Sequence, residues 1–201
     1  MMNSNKIKMK DIITISIFNV AMLIIMFITK MFTMLATTPA FDYLFYVGIM
    51  GLLCGPVFVV MSNKVAKKGV YSITAIFAGL FITAMGSPWF LPVMIVVGII
   101  CEFLMYGGDA YKNPKRNCVA YAVYWALYAA GSSLPMILFR EQYLSSLRES
   151  YTEEGIQTLI RFYGSLDMMT LIVLITVILS VIGFVIGQKI FKKHIKKAKL
   201  V

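Results

Sequence analysis

Uncharged apolar runs separated by short polar turns make up most of this chain. Six of them predict membrane-crossing helices: Asp11 to Lys30, Tyr43 to Met61, Val70 to Met85, Trp89 to Tyr106, Asn117 to Phe139 and Met168 to Gln188. A hydrocarbon core of about 30 Å takes about 20 helical residues, and these runs approach or match that length. In lipid every backbone polar group must be paired within the protein, and runs this long exceed barrel strands. The expected fold is therefore an all-α integral membrane protein, a compact bundle of six transmembrane helices. The third run is the shortest. The segment "GSPWFLP", Gly86 to Pro92, leaves so little room that the third and fourth helices must form a tight hairpin, with its prolines stopping one helix and starting the next. The first run is too long for the apolar part of a signal peptide and lacks a small-residue cleavage site, so it is expected to remain.

Composition strengthens this picture. Of 201 residues, 60% are hydrophobic and 14% charged, and the mean hydropathy is +0.82; a soluble domain carries roughly 25% charged residues. The expected organisation is one membrane domain over residues 1–201. It comprises a basic segment at 1–10, the bundle at 11–188 with an outer cap at 140–167, and a basic tail at 189–201.

Charge orients the bundle, because cytoplasmic loops hold an excess of Lys and Arg. With the N-terminus inside, the inner segments carry Lys6, Lys8, Lys10, Lys64, Lys67, Lys68, Lys112, Lys115, Arg116 and the tail from Lys189 to Lys199. The outer segments carry only Lys30, Arg140, Arg148 and Arg161. The acids run the other way: Asp42, Glu141, Glu149, Glu153, Glu154 and Asp167 lie outside, Asp11 and Asp109 inside. A cell-membrane protein with both termini cytoplasmic is expected. The net charge of +10 is then a topology signal rather than a nucleic-acid footprint, with the tail suited to rest on anionic lipid.

Candidate chemistry is sparse. Cys54, Cys101 and Cys118 lack the spacing of a metal or redox site. The single histidine, His194, sits in the tail, which removes a histidine-based intramembrane metal site or proton relay. No metal, cofactor or catalytic constellation is expected, and the chain is read as a non-enzyme. Glu102 lies roughly 6 Å above the inner end of the fourth run. It is either a substrate or proton ligand, or else a helix-end anchor or a cytoplasmic-side ion-pair partner of Lys64, Lys112 or Arg116.

The fifth run carries Tyr121, Tyr124, Trp125, Tyr128 and Ser132 at intervals of three and four residues, hence on one helical face. Facing inward, that stripe serves either as ordinary packing or as the wall of a pocket for a flat organic ligand. Tyr128, Ser132 and Ser133 are its most ligand-like part, with Trp89, Tyr43 and Tyr46 at a similar height. Asn19, near mid-depth, is either interhelical glue or a ligand contact. Small residues recur at Gly48, Gly51, Gly55, at Ala75, Gly79, Thr83, and at Ser180, Gly183, Gly187, marking faces for close helix approach. The connection from Arg140 to Asp167 predicts two short surface helices on either side of Gly155, capping the outer mouth, and "KMFTMLATTPAFDY" offers a second flap.

Six helices in about 200 residues, a basic N-terminus running into the first of them and a capped outer mouth resemble the S component of an energy-coupling factor (ECF) transporter. The segments "DIITISIFNVAMLIIMFI", "GPVFVVMSNKVAKKGV" and "EFLMYGG" resemble, more narrowly, the MptD-like or Trep-Strep putative S components. S components generally carry Ala-x-x-x-Ala on their first helix, touching the coupling subunit. Here only Ala21 matches, with Ile17 and Ile25 at those intervals and Ser16 nearby. The resemblance implies a subunit that binds a small organic micronutrient, such as a vitamin, from outside and works with a T component and two cytosolic ATPases. The chain has no phosphate-binding loop of its own. A partner-independent, proton-coupled secondary transporter using Glu102 is the rival reading, although no inverted repeat is visible.

Overall fold

Each apolar run forms a helix. The computed structural model describes residues 7–107, 110–148 and 151–195. Lys6, Asp109, Glu149 and the tail residues Lys196, Lys197 and Lys199 lie outside the described residues, as do the side chains of His194 and Ile195. The helices are α1 (Met9–Ala36), α2 (Pro39–Val65), α3 (Val70–Ala84), α4 (Phe90–Leu104), α5 (Pro114–Leu138), α6 (Arg140–Leu147), α7 (Glu153–Tyr163) and α8 (Leu166–Ile190). A single 3-10 turn at Ala110–Lys112 precedes α5, and no strand occurs among the described residues.

Local sequence sets the ends. Proline opens α2 and α5 at the position where a missing N–H costs nothing. The Thr38 hydroxyl accepts from the Phe41 amide, the Asn113 side chain from the Lys115 and Arg116 amides, and the Thr152 hydroxyl from the Gly155 amide. The hairpin between α3 and α4 turns within five residues, at Met85 to Trp89, and Gly86 supplies the left-handed backbone (φ 97°) it needs.

Three helices are long and apolar enough to cross a membrane: Met9–Ala36, Pro39–Val65 and Leu166–Lys193. A fourth is reached if α5 and α6, bent by 102° at their junction, are taken together. Helices α3 and α4, at 15 residues each, are about 22 Å long and shorter than the hydrocarbon core.

The seam of the bundle is α2 against α8, and the sequence's small-residue faces explain it. A Cβ on Gly55 would stand 2.4 Å from the Gly183 carbonyl carbon, and one on Gly183 would stand 2.3 Å from the Leu52 carbonyl oxygen. The two backbones therefore touch, and only glycine permits it. The third small face is used likewise, with Gly79 against Leu91 and Met94 of α4. Helix α1 packs on α2 and α3 and leaves Ile13, Ile17, Val20, Ile24 and Ile28 exposed, as a lipid-facing surface would be.

Two expectations about the connections change. Residues 30–43 are not a flap: α1 continues to Ala36 and α2 starts at Pro39, so helical extensions replace the loop. Two short helices do follow α5, but they part before Thr152 rather than at Gly155. Thr152 caps α7, and Gly155 lies buried in its first turn.

Candidate functional site

The bundle ends differ. At the end where α1, α3 and α5 finish and α2, α4 and α8 begin, the helices enclose a cavity of about 300 Å³, partly covered by α6 and α7. Its wall is built from rings and thioethers. Tyr43, Tyr46, Trp89, Phe90, Tyr128, Tyr143, Tyr151 and Tyr163 contribute aromatic faces, and Met26, Met31, Met34, Met50 and Met85 contribute soft, adaptable surface. Among the described residues lining it, Lys30 is the one charged side chain.

Hydrogen bonds tie the lid helix α7 to the wall. The Tyr43 hydroxyl donates to the Gly155 carbonyl at 3.3 Å. The Tyr163 hydroxyl donates to that of Tyr46 at 3.3 Å, Tyr46 donates to the Ser132 hydroxyl at 3.4 Å, and Ser132 donates to the Tyr128 carbonyl at 3.0 Å. Burial, reinforced by the Tyr46 phenol, holds the Tyr163 phenol well above its ordinary pKa, so it stays a donor. Edge-on ring contacts between Tyr43 and Tyr163, both Trp89 pairs (with Phe139 and Tyr143), and Phe90 and Tyr128 stiffen the enclosure. The Lys30 ammonium lies 4.3 Å from the Tyr46 ring centroid and is salt-bridged to Asp42, which also accepts from Thr33 at 2.6 Å. With Asp42 buried and Lys30 half-buried, the pair presents a compensated dipole at the cavity edge.

Of the residues expected to meet a ligand, Tyr43, Tyr46, Trp89, Tyr128 and Ser132 come together here. Trp125 and Asn19 do not: they border a separate void of about 10 Å³ deeper in the bundle, too small for any organic ligand. Asn19 donates to the Ile15 carbonyl of its own helix at 2.8 Å and makes a long contact, 3.8 Å, with the Met61 sulfur of α2. Ser133 is turned back to the Ala130 carbonyl and leaves the wall. The sequence places Tyr143, Tyr151 and Tyr163 in the outer cap, but neither they nor Lys30 were expected among the ligand contacts. Their signal was present in the recurrence of aromatic positions along the cap.

The opposite end is closed by polar bonding. Glu102 turns its Oε1 toward the start of α3, accepting from the amides of Gly69 and Tyr71 at 2.9 Å, from Ser72 at 3.4 Å, and from the Tyr111 hydroxyl at 2.8 Å. Helix α3 begins after Gly69, which has no side chain to cap it, so a carboxylate from α4 does so across space. Burial first and the Glu102 charge second push the Tyr111 phenol pKa up, keeping its proton for Glu102. Of the basic partners expected for Glu102, Arg116 is bonded instead to the Leu104 and Tyr106 carbonyls. Nearby, Tyr71, Asn117 and Ser62 form a buried chain at 2.7 and 3.0 Å, and Lys67 pairs with Asp11 at 2.6 Å. Ser16 and Ala21 sit half-buried along α1, away from both ends' networks. Among the described residues no three His, Cys, Asp or Glu side chains gather as metal ligands.

Long apolar helices, glycine-mediated backbone contact and aromatic residues gathered at one end define a polytopic helical membrane protein. The sequence model of a family described as hypothetical bacterial integral membrane protein (Trep_Strep) matches residues 9–197, and the chain belongs to that family. No curated protein and no solved structure matches it.

Proposed function

We propose that this chain is the substrate-binding S component of an ECF-type importer. It would capture a small organic micronutrient in the aromatic cavity and deliver it with a T component and two cytosolic ATPases. The observation that carries this reading is the one-ended cavity. A pocket of about 300 Å³ lined by rings, thioethers and a few hydroxyls fits a compact, largely planar molecule, and α7 is bonded to the wall as a lid. The far end is closed by the Glu102 network, which suits a subunit that binds rather than a channel that conducts. Six crossings with both termini cytoplasmic, α3 and α4 being short ones, put the cavity on the outer side, in keeping with the lysine-rich segments at the other end. Ser16 and Ala21 on α1 are the proposed contact with the coupling subunit, because the glycine faces are already occupied within the bundle. The proton-coupled alternative loses its main support, since Glu102 acts as a helix cap.

The test is to tag the chain at native copy number, extract it gently and identify what co-purifies. Recovery of one membrane coupling subunit and two ATPases is the expected result, with loss of all three in an Ala21→Phe variant. Isolation of the chain alone after crosslinking, together with uptake that persists without ATP, would overturn the proposal.

A further inference from the structure

A second concavity lies on the outside of the bundle, in the trough between α5 and α8. It encloses about 800 Å³ and shares no lining residue with the aromatic cavity. The two helices run antiparallel, so the start of α5 meets the end of α8. The floor is apolar, including Ala122, Ala126, Val177, Val181 and Phe184. At one end Lys115 from α5, Lys189 from α8 and Lys192 from the turn just after α8 line the same trough. All three are exposed, and among the described residues no carboxylate pairs with any of them.

Length and charge together narrow the occupant. From Pro114 to Ala126 the trough follows the helix for about 18 Å, close to the depth of one hydrocarbon leaflet, about 15 Å. Apolar wall along that depth, ending in three ammonium groups with no carboxylate partner among the described residues, is the complement of a hydrocarbon tail that carries an anionic head. We propose that the trough is a site for a single anionic phospholipid. One of its two acyl chains lies against Ala122, Ala126 and Val181, the other in the surrounding bilayer, and its phosphate lies among Lys115, Lys189 and Lys192. A zwitterionic lipid would fill the same floor but bring its own cation to the lysines.

Native mass spectrometry of delipidated protein offered equal amounts of phosphatidylglycerol and phosphatidylcholine tests this. The wild type is expected to retain one phosphatidylglycerol in preference to phosphatidylcholine. The double variant K115Q/K189Q should lose about tenfold of that preference, while K10Q/K64Q, which removes the same charge elsewhere at this end, should keep it. Val181→Trp, which fills the trough, should reduce retention of both lipids. Equal loss in the two lysine variants, no head-group preference in the wild type, or unchanged retention in Val181→Trp would overturn the proposal. A photocrosslinker at position 181 should capture lipid in cells, and predominant capture of a polypeptide would also overturn it.

Discussion

The cavity end and the Glu102 end use the same residue types to opposite effect. At the Glu102 end the two buried tyrosines Tyr111 and Tyr71 have close acceptors: the first meets a carboxylate at 2.8 Å, and the second meets the Asn117 side chain at 2.7 Å. At the cavity end the tyrosine hydroxyls meet one another, a serine and a backbone carbonyl at 3.3 to 3.4 Å, around open space. Short, charge-assisted bonds fix geometry, and long neutral ones are easily exchanged for bonds to a ligand. One end is therefore the scaffold and the other the adaptable surface, and the stripe on α5 passes from the first role to the second between Trp125 and Tyr128.

Substitutions can separate the two roles. The largest effect is expected beneath both ends, at the α2–α8 seam. Gly183→Leu places a side chain where 2.3 Å is available to the Leu52 carbonyl, and no monodisperse protein should emerge from size-exclusion chromatography in detergent. Lys30→Met comes next. It leaves Asp42 buried without its counter-charge and should cost about 3 kcal/mol in thermal or denaturant unfolding, with most of the loss recovered by adding Asp42→Asn. Glu102→Ala strips the cap from α3 and the acceptor from Tyr111. A loss of about 2 kcal/mol is expected, while ligand affinity stays within about twofold of the wild type. The smallest stability effect belongs to Tyr163→Phe, at about 0.5 kcal/mol, yet it should weaken ligand binding several-fold by loosening the lid. A Glu102 variant that abolished binding at intact stability would erase the contrast between the ends.

How much of this was legible in the sequence follows from what periodicity encodes. Apolar run length marked all six long or apolar helices to within about four residues at each end, except that α1 runs on from Lys30 to Ala36, and the glycine spacing on α2 and α8 announced close approach. It did not say that those two faces choose each other, because partner choice depends on the order of helices around the bundle. The stripe on α5 identified the inward face, but a face has no depth coordinate. Trp125 and Asn19 were therefore grouped with Tyr128 and Ser132 although they end in a void of about 10 Å³ below them. Lys30 escaped notice because a lysine at the end of an apolar run reads as an anchor; only the folded chain brings Asp42 and the Tyr46 ring to it. Glu102 offered the reverse lesson. Its purpose was hinted at by α3 itself, an apolar helix that opens after a glycine with no capping side chain in its own sequence.

If the aromatic cavity holds the proposed ligand and the Glu102 end does not, small molecules retained by protein purified from its native host will distinguish wild type, Ser132→Trp and Glu102→Gln by mass spectrometry. One organic compound should be enriched with wild type and Glu102→Gln and missing from Ser132→Trp, whose indole would fill the cavity. Equal retention by wild type and Ser132→Trp, or loss with Glu102→Gln alone, would contradict that placement.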